Sequence, residues 1–326
     1  MRLAALTALS VIACDSAPSF LRTSGYIGDR EATLGWVMLS LAGLVVVITS
    51  VLVVAAIYHR RPAVQPTMSS SGGESWIYLG GVAIPAVILF GVSIYSLVVL
   101  AQVAYPSGKP LLEVQIIGHR WWWEVRYPGR SPGEMVTTAN EIHIPAGLPV
   151  RLELVTADVI HSFWIPELSG KTDLIPGQHN RAWLEAKAPG TYWGQCGEYC
   201  GLQHAKMHMS VVAEPPDAFD RWLEAQRRPA ANPTSSDAVA GRQVFGRACG
   251  LCHTIRGTDA GGILGPDLTH VATRATIAAG TLANNPGNLA GWIGNPQALK
   301  PGVAMPVVPL RPDELHAVVS YLRGLN

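Results

Sequence analysis

The chain has 326 residues, of which 14% are charged and 48% apolar, with 24 Lys and Arg against 23 Asp and Glu. Ordinary soluble proteins carry about 25% charged residues. The near-balance excludes a disordered or nucleic-acid-binding chain, each of which needs high net charge, and the apolar excess disfavours a purely soluble enzyme. At roughly 100–200 residues per domain two or more domains are expected. The five cysteines are too few, and wrongly patterned, for a disulfide-stapled secreted domain.

Residues 1–13 form a short signal-like segment with one positive charge, to be set aside from the fold. Val11-Ile12-Ala13-Cys14 resembles a bacterial lipoprotein box, with Cys14 as the lipid-bearing first mature residue; an incidental cysteine after a plain signal peptide or anchor is the alternative. Residues 33–58 run for 26 positions without a charge, and residues 76–105 for 30. A bilayer core takes roughly 20 apolar helical residues, so both stretches are expected to be transmembrane helices. Gly80, Gly81 and Pro85 are tolerable in such a helix. Trp36, Trp76, Tyr78 and Tyr105 lie near the ends, where interfacial aromatics belong. The connecting segment carries Arg60 and Arg61 against one acid, Glu74, which places it in the cytoplasm and both chain ends outside.

From 110 to 214 the texture changes to short alternating runs broken by Pro and Gly. Residues 148–154 alternate apolar with polar, as in a half-buried strand, and 141–145, 181–185, 190–194 and 209–213 read as further strands. A β-sandwich or barrel is expected. Near its end lies Cys196-Gly-Glu198-Tyr-Cys200-Gly-Leu-Gln-His204-Ala-Lys-Met207, a set of thiolate, imidazole and thioether donors suited to copper. A further ligand from elsewhere is needed, and His161 in Asp158-Val-Ile-His161 is the candidate. A structural zinc site lacks its second Cys/His pair, and a Cys196–Cys200 disulfide is the other bland reading. A mononuclear blue-copper site would leave one cysteine surplus, whereas two thiolates bridging two copper ions use every donor.

On these residues, 33–214 resembles subunit II of the haem–copper cytochrome c oxidases, with its helical hairpin, exported cupredoxin barrel and binuclear CuA signature. Gly118-His119-Arg120-Trp121-Trp122-Trp123-Glu124 and Lys171-Thr172-Asp173 ahead of Ile175-Pro176-Gly177 resemble further family segments. The resemblance implies that Cys196 and Cys200 bridge both coppers. It implies His161 and Met207 on one ion, and His204 with the Glu198 carbonyl on the other. It further implies a magnesium ion on the Glu198 side chain, shared with the catalytic subunit. Trp121 matches the family's exposed, electron-receiving tryptophan, although three consecutive tryptophans cannot share one face, so one or two belong to the core. Glu74 sits where the family often carries a proton-uptake glutamate; a solvated loop acid is the alternative. Nothing at the copper donors supplies an open coordination position or an acid/base pair, so the centre is expected to relay electrons rather than transform a substrate.

Residues 215–236 read as a linker, beginning with a short docking helix at 217–226 and ending in an exposed Pro- and Ala-rich stretch. Residues 237–326 contain Cys249-Gly-Leu-Cys252-His253, the Cys-x-x-Cys-His attachment pattern of a c-type haem, with His253 as an axial ligand. Met305 is the only methionine after Met209 and is expected opposite His253; His270 and His316 are the rivals. The segment resembles small class I cytochromes c, including a helix before the motif and a closing helix with Tyr321. Every cysteine then has a use.

The expected fold class is a multi-domain membrane protein: a two-helix transmembrane hairpin, an all-β cupredoxin and an all-α cytochrome c domain. The resemblance implies the electron-receiving subunit of a bacterial cytochrome c oxidase, passing electrons from haem c to CuA and on to a haem–copper subunit I that reduces oxygen and pumps protons. Oxidoreductase and translocase activity would belong to the complex, with no oxygen chemistry in this chain. Subunit III is a further expected partner. The donor would be a c-type cytochrome or a quinol–cytochrome c oxidoreductase. The place would be the bacterial inner membrane, with both termini and both cofactor domains on the periplasmic side. The rivals are a CuA-containing nitric oxide reductase subunit and a copper storage or assembly protein.

Overall fold

The computed structural model describes residues 18–59, 71–106, 108, 110 and 112–326. Cys14 and the Arg60-Arg61 pair lie outside the described residues. Helix α1 (Tyr26–Tyr58) begins a full two turns before the charge-free stretch. Its first turns belong to the barrel: Ile27, Gly28 and Ala32 are buried there, and Gly28 N–H donates to Leu168 O at 3.0 Å. Helix α2 (Ser71–Tyr78) passes through a π turn, Leu79–Ala83, into α3 (Ile84–Val103). The wider turn lies beside Gly80-Gly81 and Pro85, whose missing N–H leaves a carbonyl one turn back without its usual donor. Both helices are long and apolar enough to cross a membrane, with mean hydropathy of 2.8 and 2.4 in their most apolar windows. Leu44, Val46, Leu89 and Phe90 project from them into open space among the described residues.

The middle region is a two-layer sandwich. Strands β1 (Leu112–His119), β2 (Trp122–Tyr127), β3 (Val136–Ala139), β5 (Val150–Thr156) and β8 (Asn180–Leu184) form one sheet in the order β3-β2-β1-β5-β8. The second, β4-β10-β9-β6-β7, comprises β4 (Glu141–Pro145), β6 (His161–Trp164), β7 (Thr172–Leu174), β9 (Gly190–Cys196) and β10 (His208–Glu214). Alternation decides the faces: Val150, Leu152 and Leu154 are buried, while Arg151 between the first two is exposed. With Ile116, Trp123, Ile142, Ile144, Phe163 and Leu174 they close the core between the sheets.

The sandwich is fastened to the outer ends of both long helices. Gly25 bridges Ala186, Ser24 N–H donates to Glu167 O at 2.8 Å, and Trp183 Nε1–H donates to Val103 O at 2.9 Å. Tyr26 packs on Trp183 with ring centroids 5.8 Å apart.

Helix α4 (Pro216–Arg227) follows the barrel and lays Trp222 on His143, the rings stacked at 3.9 Å. His143 is bonded to Glu141 at 3.1 Å and Glu214 at 2.9 Å. Burial pushes its pKa down, but the two carboxylates outweigh that and leave it raised.

The C-terminal domain is built on α5 (Ser236–Ala248) and α8 (Pro312–Arg323), with α6 (Pro286–Gly294) and α7 (Pro296–Leu299) between them. It is helical as expected, except for a small ladder, β11 (Thr276–Ile277) with β12 (Leu282–Ala283), turned by Ala278, Ala279 and Gly280 at positive φ. Phe245 meets Tyr321 edge-on at 5.9 Å where α5 crosses α8. The segment after α4 is exposed over most of its length, as its composition predicts, but its start is held in place. Ala230 N–H donates to Arg256 O at 2.9 Å, His270 Nε2 faces Arg228 O at 2.9 Å, and Arg256 reaches Gln226 O at 2.5 Å. Backbone partners, which composition does not report, pin it along the cytochrome domain. Ala275 N–H also donates to Glu141 Oε2 on the barrel, at 3.1 Å.

Two outcomes follow from this packing. A Cβ on Gly241 would lie 2.0 Å from Ala317 O, so Gly241→Ala is expected to destabilise the α5–α8 crossing by about 1–3 kcal/mol, read as an earlier chemical unfolding midpoint of the full chain. The raised pKa of His143 means its cluster stabilises fully below its unfolded value of 6.5 and loses that contribution as pH rises through the higher folded value. Thermal unfolding at stepped pH, compared with His143→Gln, checks the sign.

Candidate copper and haem centres

The copper donors stand on a loop whose two ends are adjacent antiparallel strands. β9 delivers Cys196, β10 begins after Met207, and Cys196 N–H donates to Met207 O at 3.0 Å to close the loop. His161 opens β6 on the neighbouring strand, where Phe163 pairs with Cys196. The predicted donors converge. Cys196 Sγ lies 3.8 Å from both Cys200 Sγ and His161 Nδ1 and 3.2 Å from Glu198 O. Cys200 Sγ lies 3.6 Å from His204 Nδ1 and 3.8 Å from Met207 Sδ. His161, Cys196 and Cys200 are all buried, and their ligand atoms lie within 4.8 Å of one another. This set fits two soft ions bridged by the thiolates. Without metal, the Cys200 thiol is the strongest influence holding Cys196 well below the ordinary thiol range, while Cys200 is pushed correspondingly up.

Two supporting features explain the precision of the cage. Gly118 on β1 leaves room for His161: a Cβ there would sit 2.7 Å from the imidazole Cδ2. Asp158 accepts from His161 Nε2 at 2.9 Å and from the backbone N–H groups of Val159 and Arg120, each at 2.7 Å. Burial raises the Asp158 carboxyl, but these donors outweigh it and hold it at about 2. With Nε2–H committed to Asp158, Nδ1 is left as the free lone pair facing Cys196. Sequence reasoning quoted Asp158 only as a neighbour of His161; its position three residues ahead was the available signal.

In the C-terminal domain the motif follows α5. His253 Nδ1 donates to Pro266 O at 2.8 Å, which leaves Nε2 available to iron. Cys249 is half-buried, and desolvation pushes its thiol up to about 11. Met305 lies on the loop after α7, where Gln297 Nε2 donates to both Val303 O and Met305 O at 2.8 Å. Both nitrogens of His270 are occupied, facing Asn326 O at 2.8 Å and Arg228 O at 2.9 Å. His316 is exposed and pairs with Asp237 at 3.5 Å. Cysteines, oriented histidine and a loop methionine fit a covalent haem.

The sequence model described as "Cytochrome C oxidase subunit II, periplasmic domain" matches residues 129–214, and that for "Cytochrome c" matches 238–326. Cytochrome c oxidase subunit 2 of Alkalihalophilus pseudofirmus is 34% identical over 289 residues, covering 86% of this chain and 82% of that one. This chain belongs to the cytochrome c oxidase subunit 2 family. The subunit 2 of Bacillus sp. PS3 is 32% identical over 231 residues, covering 67% of this chain and 63% of its own. A crystal structure of the periplasmic domain of subunit II from Bradyrhizobium japonicum is 28% identical, covering 37% of this chain and 97% of that one, with a TM-score of 0.35. Membership implies copper in the barrel and haem in the C-terminal domain of this subunit 2.

One expectation is corrected. Trp121 is not exposed: it is 8% accessible, its Nε1–H donates to Cys200 O at 3.0 Å, and its ring lies against Gly201 on one side and Gly302 of the cytochrome domain on another. Gly201 adopts φ +112°, which side chains rarely do, and a Cβ there would crowd the indole at 3.2 Å. Trp122 stacks on His119 at 4.3 Å, and Trp123 is fully buried. Glu198 is half-exposed, with Lys171 at 4.0 Å, and Glu74 is exposed on α2, remote in sequence from both centres.

Asp158→Asn is expected to weaken copper binding by about 10–100-fold, measured by chelator competition, with both cysteines intact.

Proposed function

We propose that this chain receives electrons for a bacterial haem–copper oxidase, passing them from the 237–326 domain to the 110–214 barrel and on to a catalytic subunit that reduces oxygen and pumps protons. One observation carries the reading: the cytochrome loop bearing Met305 is bonded through Lys300 Nζ to Trp121 O at 3.0 Å, and the Trp121 indole is bonded to the backbone of the copper ligand Cys200.

In this reading Cys196, Cys200, His161, Met207, His204 and the Glu198 carbonyl would hold the copper pair. Cys249 and Cys252 would attach the haem, and His253 and Met305 would hold its iron. The copper pair and the haem supply one-electron chemistry, and a His/Met-ligated iron has the raised potential suited to an oxidase donor. The protein's part is to fix geometry: Asp158 orients His161, Pro266 orients His253, and Gln297 holds the methionine loop. Trp121 then serves between the two domains rather than as a landing site for a separate carrier. External electrons, from a c-type cytochrome or a quinol–cytochrome c oxidoreductase, would arrive at the haem domain.

The hairpin would anchor the subunit beside subunit I, with subunit III a further partner, both termini and both cofactor domains outside, and Cys14 lipidated. Glu198, which faces Lys171, would need oxygen donors from the catalytic subunit to hold magnesium. Glu74 would serve proton uptake at the inner surface.

The test is oxygen uptake by the complex purified from membranes, driven by reduced cytochrome c or an artificial donor, with visible spectra. Uptake accompanied by a- or o-type haem bands beside the c-type band is expected. Consumption of nitric oxide with oxygen ignored would redirect the terminal reaction, and freely exchanging copper with no haem-containing partner would mark a storage or assembly role.

A further inference from the structure

Lys300 is among the most deeply buried side chains in the molecule, 2% accessible, although it sits in a Pro-Gly loop where a lysine is ordinarily solvated. Among the described residues no carboxylate pairs with it. Its ammonium donates instead to three backbone carbonyls: Trp121 O at 3.0 Å, Lys206 O at 2.8 Å and Ala278 O at 3.1 Å. An ammonium has three N–H donors, so every one is used. Two acceptors belong to the barrel and one to the cytochrome domain. The barrel pair is specific: Trp121 is the residue bonded to Cys200, and Lys206 lies on the copper loop between His204 and Met207.

The surroundings are shaped to the same end. Ala278 and Ala279 adopt φ of +53° and +56°, a region unfavourable to any residue with a Cβ. Their carbonyls are the ones taken by Lys300 and by His208 N–H, the latter at 3.1 Å. On the other flank Gln203 Nε2 donates to Pro301 O at 2.8 Å, and Lys206 Nζ donates to Leu299 O at 2.5 Å. The barrel's copper loop and the cytochrome's methionine loop are thereby stitched together, with Lys300 at the centre. A lysine serving only its own domain would not place two of three donors across the boundary.

We propose that Lys300 is a positioning residue that locks the Met305 loop onto the copper loop and so sets the geometry for electron passage between the two domains. The inference rests on the electron route proposed above. A buried cation coordinated by fixed carbonyl dipoles is directional in a way that apolar contact is not. Losing it would leave both cofactor sites built and their mutual placement loosened.

The experiment uses the intact purified oxidase, wild type beside Lys300→Met and Lys300→Gln. The haem is photoreduced, and the single electron it then loses is followed as the copper pair gains it. Haem methionine ligation is read from its charge-transfer band, copper from its own absorption, and the interface from hydrogen exchange at the His208 amide. The expected result for Lys300→Met is transfer slowed by about tenfold or more, with both spectra unchanged and His208 exchanging faster. Lys300→Gln, which keeps two N–H donors, should be slowed less; it decides alone if the methionine variant fails to assemble. Unchanged transfer and exchange in the variants overturns the inference while leaving the route intact. Slowing that accompanies loss of the methionine band also overturns it, because Lys300 would then serve the iron ligand. Absence of transfer in the wild type brings down the electron route itself, and the inference with it.

Discussion

Two sulfur atoms held 3.8 Å apart in a buried site set the terms for everything around them. Both cannot carry charge there unaided, because like charges at that distance disfavour one another. Metal-free, the pair divides accordingly, Cys196 low and Cys200 high. A pair of cations removes the conflict, and the fold is arranged so that little has to move to accept them. The β9 and β10 ends fix the loop, Gly118 admits the imidazole of His161, and Asp158 sets its tautomer. The same cage has one closed wall, Trp121, and that wall is where the second domain leans.

The contact between domains includes a set of polar, backbone-directed bonds. Glu141 with Ala275, Gln203 with Pro301 and His208 with Ala279 each pair one donor with one acceptor across the boundary. Such bonds contribute modestly one at a time, but they specify a single register, as strand pairing does. The segment after α4 follows suit at its start, where Arg228 O and Ala230 N–H are bonded to the cytochrome domain.

How much was legible in the sequence depended on how local the information was. The copper loop was plain because five of its donors fall within twelve residues, and His161 stood out by its place just past a strand. Strand positions were right to within two or so residues, since alternation reports burial directly. The start of α1 was missed because its first turns, with Asp29, Arg30 and Glu31, look polar until the barrel is there to cover Ile27 and Ala32. The burial of Trp121, the pinning of the linker and the sequestration of Lys300 all depend on how two separately folded units meet. No periodicity within either unit encodes that. The second copper-site support, Asp158, was passed over for a different reason: an acid three residues ahead of a histidine is a weak signal, and its distance to Nε2 is what distinguishes it.

The fastening of the barrel to the hairpin has a consequence for the copper loop's standoff from the lipid. Trp183 holds the end of α3, while Gly25, Ser24 and Tyr26 hold the start of α1, so the sandwich is moored at two points rather than hung from one. A body moored twice has no free swivel about either helix axis. A redox centre inside it therefore keeps one height above the bilayer, and one tunnelling distance to any acceptor embedded there. Its electrons would leave with a single rate instead of a spread of rates averaged over a wandering head.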